Sequence, residues 1–136
     1  MKTALLVIDV QNDFCPSGAL EVMGGNEIIA DINQEMKKYN CVVLTQDWHT
    51  KGLSSFAMSH DGKEPFDVIE MPYGEQVLWP EHCVQGSEGA NFHLKLDVDR
   101  ASAVIRKGAN PQIDSYSAFF ENDKKTSTGL DRFLEN

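Results

Sequence analysis

The sequence lacks the positive charge and the long apolar runs that mark two large classes of protein. Only 12 Lys and Arg residues stand against 21 Asp and Glu residues, giving a formal net charge of −9 at pH 7. Because nucleic-acid binding needs clustered positive charge, we expect no nucleic-acid partner. The N-terminal run ALLVI is interrupted by Asp9, which leaves it too short for a signal-peptide core or a membrane span. We therefore predict no membrane partner and a cytoplasmic protein.

Cysteine is also scarce, and the sequence contains no internal repeat, low-complexity tract or interdomain linker. The three cysteines, Cys15, Cys41 and Cys83, are an odd number without the density of a disulfide scaffold, so a reducing compartment suits them. What is present is a globular composition, with 136 residues of which 41% are hydrophobic. Such a chain can bury a core, and we predict a single domain over residues 1–136.

Three short apolar segments, residues 4–10, 41–46 and 101–107, have the pattern of parallel strands that are covered on both faces. Between the first two, residues 26–39 carry apolar side chains at helical spacing and predict a crossover helix. The pattern predicts an α/β fold, a doubly wound parallel sheet with helices on both faces. If its strand order is 3-2-1-4-5-6, these residues supply only the 3-2-1 half, and the sheet is incomplete at the C-terminus.

The last segment, residues 127–136, predicts the beginning of another helix. Ser127 and Thr128 are candidate N-caps, and Leu130, Phe133 and Leu134 share one helical face.

Polar residues cluster where the predicted strands end. In a doubly wound sheet the ligand site lies outside the carboxyl ends of the strands, and these ends carry Asp9, Asp47, His49 and Lys107. The connection between the second and third strands is about fifty residues long, and connections of that length are usually functional. It contains His60, Trp79 and His82.

The segment QDWHT places a carboxylate and an imidazole two residues apart. In an extended strand, Asp47 and His49 project from the same face, roughly 6 to 7 Å apart at the backbone. With His82 as a third ligand they suit Zn, Mn or Fe and leave coordination positions open. The spacing alone is also common in ordinary surface residues.

Asp9 and Lys107 are each typical of solvated residues at strand ends. If they meet across adjacent strands, however, they form a buried acid–base pair that could activate a thiol, because a nearby cation lowers the pKa of cysteine.

Six segments in this order resemble the nicotinamidase branch of the isochorismatase-like cysteine hydrolases. They are LLVIDVQNDFCPSGAL, TQDWHT, SFAMSH, LWPEHCVQGSEGANF, IRKG and DSYSAF. The resemblance covers the whole chain and corresponds to about the first two-thirds of such an enzyme. Members of this branch hydrolyse nicotinamide, or related pyridine amides, to the acid and ammonia in NAD salvage.

The resemblance implies a role for each candidate residue. Asp9 matches the general acid–base and Lys107 the lysine of the catalytic triad. The family's ligands of one divalent transition metal match Asp47, His49 and His82. Zn is the first choice of metal, and Mn and Fe are alternatives. The residues that match the aromatic lining of the ring pocket are Phe14, Trp79 and Tyr116.

The resemblance also implies that Cys83 is not the nucleophile, because the nucleophilic cysteine of the family follows a fourth strand that this sequence does not include. We therefore expect the chain to be inactive alone and to need a complementary C-terminal segment or a homo-oligomer. Two alternatives remain: a metal-binding, non-catalytic half-domain that acts as a partner subunit, and a metal-independent hydrolase of the same family.

Overall fold

The computed structural model describes residues 2–135, which form five strands, two α-helices and three 3₁₀ helices of one turn each. In chain order the strands and α-helices are β1 (Leu5–Ile8), α1 (Ile29–Met36), β2 (Val42–Asp47), β3 (Val68–Met71), β4 (Gly74–Val77), β5 (Ala103–Lys107) and α2 (Leu130–Glu135). No helix in residues 2–135 is long and apolar enough to cross a membrane.

The main sheet is parallel, and its strand order is β1-β2-β5. This is the 3-2-1 order predicted from the sequence. The central strand, β2, is buried along its whole length. Within the described residues, β1 pairs only with β2 and so forms an edge of the sheet. The register places Ile8 beside Thr45, and Asp47 beside Lys107.

Helices cover both faces of the sheet, as predicted. Successive side chains of a strand point to opposite faces, so Val42 and Leu44 pack with α1 through Ile29 and Met36. Val43 points the other way and packs with α2 through Leu130 and Phe133. Leu134 is 38% exposed and lies outside that cluster, and Asn136 of this predicted helix lies outside the described residues.

The first strand and the first helix are shorter than their sequence patterns. β1 ends at Ile8 because Asp9 adopts a left-handed conformation, with φ of 51°, which turns the chain out of the sheet. The helix predicted over residues 26–39 is confined to Ile29–Met36 and is flanked by hydrogen-bonded turns.

The long connection contains an antiparallel hairpin that the sequence did not predict. Its strands, β3 and β4, pair from Val68 opposite Val77 to Met71 opposite Gly74. One strand has no buried residue and the other buries only Gln76, so the alternation of apolar residues that identifies a half-buried strand is absent.

Candidate active site and metal centre

The predicted site residues converge on one cavity of about 190 Å³ at the carboxyl ends of the parallel strands. Its walls are formed by Asp9, Phe14, Leu20, Asp47, Trp79, His82, Lys107, Asp114, Ser115 and Tyr116. Of the predicted set, only His49 does not line the cavity. It is buried, with its ring against that of His82.

Asp9 is held in place by the neighbouring strand. Its backbone N–H lies 3.2 Å from the carbonyl oxygen of Thr45 and 3.1 Å from the Thr45 hydroxyl oxygen. That hydroxyl donates a hydrogen bond of 2.7 Å to Asp9 Oδ1. Thr45 therefore fixes both the backbone and the carboxylate of Asp9, and Oδ2 is left to contact Lys107.

Lys107 and Asp9 meet although they do not lie on adjacent strands, since β2 lies between β1 and β5. The ammonium group of Lys107 lies 2.5 Å from Asp47 Oδ1 and 2.8 Å from Asp9 Oδ2. It also donates to the backbone oxygen of Ser115 at 3.2 Å. The three groups therefore form a triad of charges, in which the Lys107 cation bridges the carboxylates of Asp9 and Asp47.

These contacts separate the proton affinities of the three groups. Burial is the largest effect on the pKa of Asp9 and raises it, and the attraction of Lys107 only partly offsets that effect. Burial alone would lower the pKa of Lys107, but Asp47 and Asp9 raise it to about 12. Burial would raise the pKa of Asp47, but the adjacent imidazoles of His49 and His82, together with Lys107, hold it below its usual value. Asp9 is therefore the group of this triad best suited to accept and return a proton.

The three candidate metal ligands form a compact buried cluster. Their ligand atoms all lie within 4.8 Å of one another. Asp47 Oδ2 lies 3.4 Å from His49 Nε2 and 3.7 Å from His82 Nε2.

The other nitrogen of each imidazole is bound to a backbone carbonyl group. His49 Nδ1 lies 2.9 Å from the oxygen of Gly108, and His82 Nδ1 lies 2.8 Å from the oxygen of Pro80. A carbonyl oxygen can only accept, so each Nδ1 carries the proton, and in the neutral ring Nε2 offers its lone pair. His49 Nε2 is buried and has no hydrogen-bond partner. A cation between these atoms would satisfy it, so the residues fit a divalent metal.

Gly108 permits the close approach of His49 to the end of β5. A Cβ atom at this position would lie 2.4 Å from His49 Cε1, and φ of 71° is left-handed. Any other residue would clash with the imidazole and strain the backbone.

Three aromatic side chains enclose the cavity. Trp79 Nε1 donates to the Tyr116 hydroxyl at 2.9 Å, and their ring centroids are 6.0 Å apart. Phe14 packs edge-on to His82, with ring centroids 5.7 Å apart. The predicted aromatic residues thus lie beside the predicted metal ligands.

None of the cysteines in residues 2–135 is placed to attack a molecule in this cavity. The thiol of Cys83 is buried, lies 4.0 Å from the Gly89 oxygen, and has a pKa raised by burial and by nearby carboxylates. Cys15 is buried and borders other cavities, and Cys41 precedes β2 at the opposite end of the strand.

Sequence reasoning missed four polar residues of the site. Thr45 and Gln11 bind the residues at the ends of the strands, and Asp114 and Ser115 line the cavity. Asp114 accepts hydrogen bonds from the Ser55 hydroxyl at 2.7 Å and from the Ser115 N–H at 2.6 Å. For Thr45 and Gln11, the sequence offered one signal, which is a polar residue beside apolar ones. Thr45 interrupts a buried strand, and Gln11 follows another strand.

Proteins of known function resemble this chain along nearly its whole length. A nicotinamidase of Acinetobacter baylyi is 54% identical over 132 residues, which are 97% of this chain and 62% of that protein. A nicotinamidase of Escherichia coli is 42% identical over 137 residues, covering 98% of this chain and 64% of that protein. The chain therefore spans less than two thirds of the length of these two relatives.

Solved structures of nicotinamidases and pyrazinamidases also resemble this chain along nearly its whole length. A nicotinamidase and pyrazinamidase of Acinetobacter baumanii superposes with a TM-score of 0.95 at 52% identity, covering 97% of this chain and 64% of that one. The yeast nicotinamidase bound to the inhibitor nicotinaldehyde has a TM-score of 0.89 at 32% identity, with coverage of 99% and 69%. The pyrazinamidase of Pyrococcus horikoshii in complex with zinc has a TM-score of 0.68 at 32% identity, with coverage of 97% and 63%. Residues 3–136 match the family described as Isochorismatase domain, and the chain belongs to that family.

Proposed function

We propose that this chain is part of a metal-assisted cysteine amidohydrolase that converts nicotinamide to nicotinate and ammonia. The observation that carries the proposal is the convergence, at a cavity of about 190 Å³, of an Asp–Lys acid–base pair, an Asp-His-His cluster and an aromatic lining. Similarity to nicotinamidases over nearly the whole chain supports the choice of substrate. The three free cysteines are consistent with cytoplasmic NAD salvage.

Some residues of the cavity bind the substrate, and others carry out the proton transfers. Phe14, Trp79 and Tyr116 contact the flat faces of a pyridine ring. A divalent metal held by Asp47, His49 and His82 would supply an open coordination position for the ring nitrogen. Zinc is the first choice, with manganese or iron as alternatives. The zinc complex of the Pyrococcus horikoshii pyrazinamidase supports that choice of metal.

Asp9 and Lys107 perform the proton transfers. A cysteine thiol supplied by a complementary C-terminal segment, or by a second chain, gives its proton to Asp9 while Lys107 remains protonated. The thiolate attacks the amide carbon, the C–N bond breaks, and Asp9 returns the proton to the departing nitrogen, which leaves as ammonia. Asp9 then deprotonates a water molecule that hydrolyses the thioester, giving nicotinate and restoring the thiol.

Ammonia release from nicotinamide by the product of the full reading frame, with zinc added, tests this function. We expect nicotinate and ammonia in equal amounts, and we expect Asp9→Asn to abolish both. A reading frame that stops at Asn136, or a zinc-loaded protein that leaves nicotinamide intact, would instead support the non-catalytic metal-binding subunit.

A further inference from the structure

The backbone of Asp47 has no paired residue of β1 beside it, because the pairing of β1 with β2 ends before Asp47. The pairing of β1 with β2 runs from Leu5 opposite Val42 to Ile8 opposite Thr45. Continued in register, it would place Val10 opposite Asp47. The left-handed turn at Asp9 ends β1 before that point. The N–H and carbonyl groups of Asp47 on this side of β2 therefore need another partner.

The side chain of Gln11 is that partner. Gln11 Oε1 accepts a hydrogen bond from the N–H of Asp47 at 2.8 Å, and Gln11 Nε2 donates to the carbonyl oxygen of Asp47 at 2.8 Å. The second N–H of the same amide donates to the carbonyl oxygen of Ala90, also at 2.8 Å. Gln11 is 0% exposed, so no water competes for these bonds. The amide thus binds the Asp47 backbone as a neighbouring strand would.

We propose that Gln11 is a positioning residue for the metal centre, holding the Asp47 carboxylate in place through the Asp47 backbone. The inference rests on the proposed metal site. The Asp47 carboxylate serves two groups, because Oδ1 binds Lys107 and Oδ2 faces His49 and His82. A shift of the Asp47 backbone would move it away from both. Only an amide can accept from the Asp47 N–H while donating to two carbonyl groups.

Gln46 provides a matched control. It is 4% exposed, and its Nε2 donates to the same Ala90 carbonyl oxygen at 2.9 Å. Its Oε1 accepts from Arg106 Nε at 3.1 Å. In contrast to Gln11, it makes no side-chain hydrogen bond to the backbone of Asp47. Replacing either glutamine removes a buried amide from Ala90, but only one replacement releases Asp47.

The test compares the variants Gln11→Met and Gln46→Met of the same protein. Competition with a chromogenic chelator gives the Kd for zinc, and the Tm is measured for each metal-free variant. We expect both substitutions to lower Tm, and only Gln11→Met to weaken zinc binding, by about 10- to 100-fold. Equal zinc affinities for the two variants, or a wild-type affinity for Gln11→Met, would overturn the positioning role. If Gln11→Met does not fold, the same comparison between Gln11→Glu and Gln46→Glu decides, since glutamate keeps the size and loses the two donors.

A third variant separates this inference from the metal assignment on which it rests. His49→Ala removes a proposed ligand and should abolish stoichiometric zinc binding. Zinc binding that is lost in His49→Ala but unchanged in Gln11→Met refutes the positioning role alone. Zinc binding that survives in His49→Ala refutes the metal site, and the positioning role with it.

Discussion

At the scale of single residues, the centre of the site is a lysine that bridges two carboxylates for which we propose different roles. Lys107 contacts Asp9 on one side and Asp47 on the other. The sequence motifs suggest that the proposed acid–base residues and the proposed metal ligands are separate sets, but the contact between Lys107 and Asp47 joins them. A change at Lys107 should therefore affect both sets, whereas a conservative change at Asp9 should affect only proton transfer.

The first prediction concerns Asp9→Asn in the protein that carries the nucleophile. Asparagine keeps the size of the side chain and one oxygen, which can accept from either Thr45 or Lys107, but it cannot take a proton. We expect kcat/KM for ammonia release to fall by about 10²- to 10⁴-fold, the range for loss of a general acid–base. Zinc content, measured by elemental analysis, should not change. Near-normal turnover would remove Asp9 from the mechanism.

Lys107→Ala should differ from Asp9→Asn in its effect on stability. Without the ammonium group, the buried carboxylate of Asp47 and the partly buried carboxylate of Asp9 lie close together without a cation. Removing one partner of a buried ion pair costs about 3 to 5 kcal/mol, so the free energy of unfolding should fall by that order. Denaturant titration of the two variants measures the difference. Equal stability of Asp9→Asn and Lys107→Ala would contradict the bridging role.

Cys83 should be dispensable for the chemistry although it follows the proposed metal ligand His82. Its backbone N–H donates to Asp13 Oδ2 at 2.7 Å, and its thiol, whose pKa is raised by burial, does not line the cavity. In Cys83→Ser the hydroxyl can donate to the Gly89 carbonyl oxygen in place of the thiol. We expect more than half of the wild-type ammonia release. A loss of turnover with zinc content and Tm preserved would assign Cys83 to the reaction.

Which of the site residues can be predicted depends on how each one acts. Asp9, Asp47 and Lys107 are recognisable because strand ends in a parallel sheet converge, and motif resemblance adds the aromatic residues. Gln11 acts through backbone hydrogen bonds to a residue 36 positions away, and no spacing in the sequence reveals such a contact.

At the scale of secondary structure, the β3–β4 hairpin supports the aromatic wall of the cavity. Gln76 of β4 is 1% exposed, and its Oε1 accepts from the Tyr73 hydroxyl at 2.8 Å and from Asn122 Nδ2 at 2.9 Å. Its Nε2 donates to the Tyr116 hydroxyl at 2.5 Å, and Trp79 donates to the same hydroxyl. The hairpin therefore fixes the position of Tyr116 through one amide.

Replacing Gln76 should consequently weaken substrate binding. In Gln76→Leu the Tyr116 hydroxyl loses one of its donors, and the loss of one such hydrogen bond, about 1 kcal/mol, corresponds to a rise of about fivefold in KM for nicotinamide. The kcat should change less, because no group of the proton-transfer machinery is touched. The exposed neighbour Glu75 gives a control, since Glu75→Gln should leave KM unchanged. A fall in kcat with constant KM would contradict this role of the hairpin.

Elements with buried apolar faces could be predicted, whereas elements held mainly by backbone pairing could not. The three parallel strands were found because their residues are apolar on both faces. The hairpin was not, because Val68 is exposed and Glu70 and Glu75 pair across it. The early end of β1 depends on the conformation of Asp9, for which aspartate gives only a weak preference.

At the scale of the molecule, apolar side chains of β1 border two cavities. Ile8 is 53% exposed and borders one cavity together with Val22 and Ile28. Leu6 borders a second, larger cavity together with Phe133 and Leu134. An unpaired strand edge flanked by apolar grooves is a template for association with another segment.

The last prediction is therefore that residues 1–136, prepared alone, associate and do not hydrolyse nicotinamide. The open edge of β1 and its apolar flanks favour self-association, and no described cysteine lines the cavity beside Asp9. Sedimentation velocity should show species larger than 15.2 kDa, the mass of one chain. A complementary C-terminal segment that carries the nucleophile should restore a defined complex and ammonia release, whereas the same segment with its cysteine changed to alanine should restore the complex alone. A monomer that releases ammonia unaided would contradict both the predicted association and the proposal of a nucleophile from outside these residues.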